Sequence, residues 1–313
     1  MLCLDLSEEE TICIFAVVLI FGLLGFVLNL LLISSITLTD GFAEIPANLF
    51  VLSLAVSDTM IDCVAAPLMI YNIYHFAFDA SLVVGKFFGL ATTGSVFLLT
   101  LNRFISTVKA LRYPTIVTFK RAVTMVGAIW FVALLVAVKT AASLISDLVP
   151  NVSVAQYIVV FYVLTSIALC VYMYKLGREH AKRVKQQAFA VTGELQAALH
   201  EFKTLRTLFL IAGSLGACLL PITALFIVID REENPAKFHR AFSFSAPLVL
   251  LNTIIDPVVY YFRSKGFRKG GPLGTRFFRR ESNLFCINYV VSALIESSCK
   301  NSYSFRQSGR VFP

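Results

Sequence analysis

Long apolar segments alternate with short polar stretches along most of the chain. Seven of these segments are long enough to cross a bilayer, because about 20 apolar residues in a helix span its hydrocarbon core. They lack the strict apolar–polar alternation of a membrane β-strand, so the pattern predicts helices. We therefore expect an all-α membrane protein, a seven-transmembrane helix bundle. Its spans, numbered 1 to 7 in chain order, are predicted at residues 11–36, 47–71, 82–108, 121–146, 154–178, 202–229 and 238–262.

The charged residues indicate how these helices are oriented. Only 15% of the residues are charged and 58% are hydrophobic, whereas a soluble domain carries about 25% charged residues. Of the 27 Lys and Arg residues, five lie in 103–121, seven in 175–206 and ten in 263–310. Because positive loops face the cytoplasm, the N-terminus is predicted outside and the tail inside. We interpret the net charge of +8 as topology and contact with membrane lipids, not as nucleic-acid binding.

The same pattern divides the chain into an extracellular N-terminus (1–10), a transmembrane domain (11–268) and a cytoplasmic tail (269–313). No basic segment precedes the first apolar run, so span 1 is expected to insert as its own signal. Asn151, in an outer Asn-Val-Ser sequence, is a candidate for glycosylation, and Cys286 of the tail is a candidate for palmitoylation.

Polar side chains recur inside the predicted spans, where burying them is costly unless they have partners. Asn29 lies in span 1 and Asp58 near the middle of span 2, with Asp62 one turn later. Oxygen atoms of four residues would suit a small hard cation such as sodium, or would form a static polar cluster that joins the helices. The residues alone leave both interpretations open. The four are Asp58, Thr92, Asn252 and Asp256.

The cytoplasmic ends of the spans carry a second candidate site. Arg103 ends span 3 and Glu201 begins span 6. A charge pair across these two ends would act as a latch, whose rupture would let span 6 move outward. The alternative is two unrelated charges that face lipid headgroups. Tyr260, near the inner end of span 7, could bond to the groups that an open latch frees.

Sequence motifs on separate spans resemble those of rhodopsin-like (class A) G-protein-coupled receptors. They are "NLFVLSLAVSD" in span 2, "NRFISTVKALRYP" after span 3, the single Trp in span 4, "LLPITALF" in span 6 and "DPVVY" in span 7. The resemblance covers residues 11–268, and it places a short amphipathic eighth helix after span 7, around Phe267 and Arg268. The structural residues that it implies are Asn29, Trp130, Pro221 and Pro257.

This resemblance implies a multi-pass plasma-membrane receptor that is not an enzyme and that activates heterotrimeric G proteins. Arg103 would contact the G protein once its latch to Glu201 opens, and Tyr172 and Tyr260 would rearrange. The four oxygen-bearing residues would form the family's sodium pocket, with sodium as an allosteric modulator. Arrestin would bind the phosphorylated tail.

Two departures from the family pattern change these expectations. Asn102 replaces the acid that precedes Arg103 in the family, so the local restraint on Arg103 is weakened and elevated basal activity is expected. The family's outer disulfide cannot form, because Phe78 stands where its first Cys would be and the loop at 147–156 has no Cys.

The residues of the predicted ligand pocket are mostly small or apolar. Retinal is excluded, because Leu250 stands where a Schiff-base Lys would be, and Gly85 replaces the Asp of amine receptors. Lys86 would bind the carboxylate of a lipid-like or small acidic ligand, or would reach headgroups or Asp79; a peptide ligand also stays open. The predicted pocket residues are Gly85, Lys86, Gly89, Leu219, Ile222, Phe226, Phe242, Ala246 and Leu250.

Two other functional classes are alternatives to a signalling receptor. A transporter would show repeated halves, and seven spans do not halve. A silent, receptor-like partner, such as a heteromer subunit or chaperone, would explain the weakened motifs and the missing disulfide. Besides Asn102, these motifs are Leu219, where the family has a Trp before the Pro of span 6, and Asp256, where the family has the Asn of Asn-Pro-x-x-Tyr. Signalling by the protein expressed alone would distinguish the receptor from the silent partner.

Overall fold

The computed structural model describes residues 7–37, 45–75, 78–145, 154–187, 213–225, 227–229 and 235–263, and these residues form helices and short turns without a strand. Six helices are long and apolar enough to cross a membrane, and the shorter apolar helix Gly213–Leu225 belongs to span 6. Together they confirm the predicted seven-helix bundle. The helices of spans 1 to 7 are Glu8–Thr37, Pro46–His75, Phe78–Val108, Phe119–Ile145, Val154–Gln187, Gly213–Leu225 and Pro235–Arg263.

Span 1 begins with a capping box at the outer surface. The Glu10 amide donates a hydrogen bond to Ser7 Oγ (3.1 Å), and the Ser7 amide donates one to Glu10 Oε2 (3.0 Å). These bonds satisfy two amide groups that have no partner within the helix. The other carboxylate oxygen, Glu10 Oε1, lies 3.0 Å from Arg240 Nη2 on span 7. One side chain therefore caps span 1 and joins it to span 7.

Span 2 contains a π-helical turn that the sequence pattern did not predict. Pro46 occupies the first turn of the helix, where its missing amide proton costs nothing. The α-helix changes to a π-helix over Ile61–Ala65 and becomes α-helical again at Ala66. A π-turn inserts one extra residue into the helical repeat. It therefore sets the direction of Asp62, its second residue, relative to Asp58 in the preceding α-helix.

Span 3 lies at the centre of the described bundle. It packs against spans 2, 4 and 5, while span 1 packs against spans 2 and 7. Small residues allow close packing: a Cβ added at Gly94 of span 3 would overlap the Ile129 side chain of span 4. Large apolar side chains on the outer faces, such as Leu23 and Val138, are exposed, as lipid-facing residues would be.

Candidate functional site

Asp58 lies at the centre of a buried polar cluster between spans 2, 3 and 7. Its side chain has no solvent exposure. The Thr92 hydroxyl of span 3 donates a hydrogen bond to Asp58 Oδ1 over 2.8 Å. In span 7, Asn252 Nδ2 lies 3.4 Å from Asp256 Oδ2, and the Asp256 carboxyl interacts electrostatically with that of Asp58. The structure thus brings together all four residues of the predicted sodium pocket.

Asp62 extends this cluster toward span 1, and the sequence analysis did not assign it to the site. The Thr253 hydroxyl donates a 2.7 Å hydrogen bond to Asp62 Oδ1. The other oxygen, Asp62 Oδ2, packs against the backbone of Gly25, where an added Cβ would lie only 2.6 Å from it. Spacing was the available signal, because Asp62 follows Asp58 by four residues, one helical turn. The π-turn and the glycine that accommodate Asp62 could not be inferred from that spacing.

Asn29 connects spans 1 and 7 at the edge of the same cluster. Its amide nitrogen donates to the backbone carbonyl oxygens of Gly25 (3.0 Å) and Thr253 (2.9 Å). Asn29 is 1% exposed, so these bonds are made away from water. Such bonds compensate the cost of burying an amide group. Asn29 thereby fixes the contact between spans 1 and 7 beside Asp62.

Oxygen atoms dominate the unpartnered polar groups of this cluster. Five buried oxygen atoms of this cluster have no hydrogen-bond partner among the described residues: Asn29 Oδ1, Asp58 Oδ2, Asp62 Oδ2, Asn252 Oδ1 and Asp256 Oδ1. Spans 1 and 2 contain no Lys or Arg that could neutralise the carboxylates. Buried acceptors of this kind need a proton or a cation, and an oxygen-only set suits a hard cation such as sodium. In the same ranges, no three His, Cys, Asp or Glu side chains are arranged to hold a metal ion.

The cytoplasmic end of span 3 has its own polar contact. Asn102 is 4% exposed, and its Oδ1 accepts a 2.9 Å hydrogen bond from the Tyr113 hydroxyl. Burial raises the pKa of Tyr113, so the phenol remains a neutral donor. Arg103 is half-buried beside it and interacts electrostatically with Tyr113. Asn102 therefore has a partner of its own, on the loop that follows span 3.

The other predicted switch residues are only partly described. The ring of Tyr172 lies 5.9 Å from that of Phe104, between centroids, at 58°. This contact joins span 5 to the residue that follows Arg103. Glu201, the side chain of Tyr260, Asn151, Cys286 and the eighth helix lie outside the described residues. The predicted Arg103–Glu201 latch therefore stays a prediction.

The remaining structural motif residues lie within helices. Trp130 Nε1 of span 4 donates to Ser53 Oγ of span 2 over 2.9 Å, and the indole packs edge-on against Phe87 at 5.6 Å between centroids. Pro221 and Pro257 lie inside the helices of spans 6 and 7. Trp130 therefore joins spans 2 and 4 by a partly buried hydrogen bond and packs against span 3.

An apolar pocket opens between spans 2, 3, 5, 6 and 7, with a volume of about 740 Å³ that includes its open mouth. Six of the nine predicted pocket residues line it: Gly85, Lys86, Gly89, Leu219, Ile222 and Phe242. Ala246 and Leu250 do not line it, because both are completely buried in the helix packing. Phe226 lies outside the described residues. Ser81, Thr93, Gln156 and Thr223 are polar lining residues that the sequence analysis did not assign.

Comparisons with known proteins place this architecture in a family. The family model described as the seven-transmembrane receptor (rhodopsin family) matches residues 28–260, well over half of the chain. Cannabinoid receptor 1 of Taricha granulosa is 27% identical over 71% of this chain and 54% of its own length. Cannabinoid receptor 2 of Rattus norvegicus is 24% identical over 84% of this chain and 78% of its own length. Melanocortin receptor 4 of Danio rerio is 26% identical over 83% of each chain.

The coverage differs between these relatives. The chain spans about half the length of the cannabinoid receptor 1 that it matches, and most of the length of the other two. The relatives are receptors and not enzymes. The apolar helices of this chain agree with a multi-pass protein of the plasma membrane. Its seven spans and the match across residues 28–260 show that the chain belongs to the rhodopsin family of seven-transmembrane receptors.

Proposed function

We propose that the protein binds an extracellular ligand in the outer pocket and activates a heterotrimeric G protein at the cytoplasmic ends of spans 3 and 6. The observation that carries this proposal is the position of Arg103. It lies five residues before the end of the span 3 helix at Val108 and interacts electrostatically with Tyr113 of the following loop. A half-buried cation near a cytoplasmic helix end would bind an acidic partner or backbone carbonyl groups once the latch to Glu201 opens.

The proposed mechanism is a shift between two conformations. A ligand favours one conformation only by the difference between its affinities for the two. The pocket touches spans 2, 3, 5, 6 and 7, so a ligand there contacts helices that must move relative to one another. Opening the latch between Arg103 and Glu201 would expose Arg103 to the G protein, while Tyr172 and Tyr260 rearrange. Arrestin would compete for the same face through the phosphorylated tail.

Sodium is proposed as an allosteric modulator held in the buried polar cluster. Its oxygen ligands would come from Asp58, Thr92, Asn252 and Asp256, and the unpartnered oxygens of three of these residues support the assignment. The cation would neutralise charge that spans 1 and 2 cannot neutralise themselves. Because it would bridge spans 2, 3 and 7, it would favour the conformation in which these spans are close.

The test is ligand-free activation of a panel of G-protein types by the wild-type protein, Arg103→Ala and Lys109→Ala at matched surface levels. Lys109 is an exposed cation directly after the end of the span 3 helix at Val108, so it controls for a general loss of positive charge. We expect wild-type activity that Arg103→Ala removes and that Lys109→Ala largely retains.

The opposite outcome would favour the second functional class. If the wild-type protein reaches the surface and activates no G-protein type, even after screening of the outer pocket with ligands, the proposal is wrong. A silent, receptor-like partner would then be the better interpretation, and co-expression with related receptors would test it. For the cation, sodium titration should change basal activity of the wild-type protein and not that of Asp58→Asn.

A further inference from the structure

The outer pocket is almost entirely apolar, but it contains one cation. Lys86 lines the pocket, one helical turn from Gly89 on span 3. No hydrogen bond or ion pair joins its ammonium group to another residue that the structure describes. A charge in an apolar, half-buried position is costly unless a counter-charge is supplied. The described helices supply none, so Lys86 is available to an anionic group of a ligand.

A second cation strengthens the positive potential at this end of the pocket. The ammonium of Lys139, on span 4, lies close enough to Lys86 for the two charges to interact electrostatically. Lys139 has contacts of its own, and it does not line the pocket. Two like charges near one another destabilise the ligand-free pocket, and an anion between or beside them would reduce the repulsion. The pocket is therefore unsuited to a cationic amine or to a basic peptide.

The pocket also presents an unpartnered amide group. Gln156, in the first turn of the span 5 helix, lines the pocket and is 3% exposed. Its Oε1 atom is buried without a hydrogen-bond partner in the described structure. An amide oxygen buried in this way costs free energy unless a donor reaches it. A ligand with an N–H or O–H group near its anionic end would supply that donor.

The rest of the pocket would hold an apolar chain. Its walls include Ile61, Met69, Leu82, Leu90, Val159 and Phe242. Gly85 and Gly89 leave open space in the pocket, because a Cβ added to either residue would meet nothing within 4 Å. Apolar walls with few polar groups at one end match an amphiphile in shape and polarity.

We propose that the ligand is an anionic amphiphile whose acidic headgroup pairs with Lys86, whose adjacent N–H or O–H donates to Gln156, and whose apolar chain fills the pocket. This inference deepens the proposed function, because it rests on the outer pocket being the ligand site. Charge complementarity decides between ligand classes: a neutral lipid would leave Lys86 without a counter-ion, and a cationic ligand would add repulsion. The same anionic chemistry could come from a free N-acyl amino acid or from the headgroup of a bilayer lipid.

The test uses radiolabelled N-oleoylglycine and its methyl ester, which have the same chain and amide but differ in charge. Both are measured on purified full-length protein in phosphatidylcholine nanodiscs. We expect the acid to bind at least about tenfold more tightly than the ester, as for a hydrogen bond to a charged group. Lys86→Gln should weaken binding of the acid by a similar factor and leave the ester unchanged, while Lys86→Arg should retain the preference.

Two further variants define the location. Lys237→Gln removes an exposed lysine of span 7 that does not line the pocket, and it should bind both probes as the wild-type protein does. Gly89→Leu should fill the pocket without a clash in the protein and prevent binding of both probes. Nanodiscs that contain phosphatidylserine distinguish the two sources of the ligand. If phosphatidylserine competes with N-oleoylglycine for the pocket, the natural ligand is the headgroup of a bilayer lipid. If it does not compete, the natural ligand is a free amphiphile.

The inference is overturned if the wild-type protein binds acid and ester equally, or if Lys86→Gln keeps the preference for the acid. It is also overturned if neither probe binds the wild-type protein more tightly than it binds Gly89→Leu. Failure of the G-protein proposal would look different. Arg103→Ala should lose G-protein activation and retain binding of N-oleoylglycine, because Arg103 lies at the opposite end of span 3 from the pocket.

Discussion

Gly25→Ala is the most specific perturbation that the buried polar cluster offers. The added methyl group would lie 2.6 Å from both Asp62 Oδ2 and Thr253 Oγ1, and 2.9 Å from Asp62 Cγ. Real Cβ atoms do not approach neighbours this closely, so the Asp62 side chain or the backbone of span 1 must move. Movement of Asp62 would break its 2.7 Å hydrogen bond from Thr253. A single methyl group therefore disturbs the contact between spans 1, 2 and 7.

The expected magnitude follows from three terms. Adding a methyl group to a packed interior costs about 1–3 kcal/mol. Loss of the hydrogen bond from Thr253 to the Asp62 carboxyl adds about 1 kcal/mol. Gly25 lies inside the span 1 helix, where replacing Gly by Ala gains up to about 1 kcal/mol, so the free energy of unfolding should fall by about 1–4 kcal/mol in total. Gly127→Ala is the matched control, because Gly127 is an exposed glycine in the span 4 helix and a Cβ there meets nothing within 4 Å. Its expected effect is neutral or stabilising by up to about 1 kcal/mol.

The assay is thermal denaturation of the purified protein in one detergent, with Gly25→Ala, Gly127→Ala and Gly25→Ala combined with Asp62→Ala. Gly25→Ala should lower the melting temperature. Gly127→Ala should raise the melting temperature or leave it unchanged. The cost of Gly25→Ala should be smaller in the Asp62→Ala background, because the carboxyl that clashes is gone. Equal melting temperatures for both single variants, or full additivity with Asp62→Ala, would refute the reasoning.

Three further predictions concern contacts at the two membrane surfaces and in the core. Glu10→Gln should lower the free energy of unfolding by no more than about 1 kcal/mol, because the ion pair with Arg240 is only partly buried and Gln retains the capping box, whereas Glu10→Ala should cost about 1 kcal/mol more; equal melting temperatures would contradict this. Trp130→Phe should cost about 1–3 kcal/mol in thermal denaturation by removing the bond to Ser53; Ser53→Ala should cost less in the Trp130→Phe background than in the wild-type protein, because only its 2.8 Å bond with Ser95 is then left to lose, so full additivity would count against the Trp130–Ser53 bond. Asn102→Asp should lower ligand-free G-protein activation at matched surface levels by restoring an acid beside Arg103, and unchanged activity would show that Asn102 does not raise basal signalling.

The sequence pattern predicted the helices well because the bilayer imposes a minimum length and an apolar composition on each span. It therefore located most of the described helix ends to within a few residues: span 2 begins at Pro46 instead of residue 47 and extends to His75. The exception is span 5, whose helix extends to Gln187 and not to residue 178. The pattern did not predict the π-turn at Ile61–Ala65. Such a turn changes the side-chain direction within a helix that remains uniformly apolar, so it leaves no trace in the hydropathy.

The site residues were predicted correctly where their spacing places them on one face of a helix. They were not predicted where the packing between helices determines which side chains reach the site. Asn252 and Asp256 are four residues apart in one helix, and the structure places them together. Ala246 and Leu250 are also four apart, but both are buried away from the pocket. Gln156 reaches the pocket from the first turn of span 5, and its role depends on how spans 3 and 5 pack, which one sequence does not specify.

The outer pocket and the buried polar cluster are next to one another, because one turn of span 2 and one turn of span 3 contribute residues to both. Ile61 and Thr93 line the pocket, while their chain neighbours Asp62 and Thr92 hold the cluster. A ligand that displaces either lining residue must also move a cluster oxygen, since one helix turn carries both. If the ligand changes the affinity of the cluster for sodium by some factor, sodium must change the affinity for the ligand by the same factor. The two sites are therefore expected to be coupled in both directions.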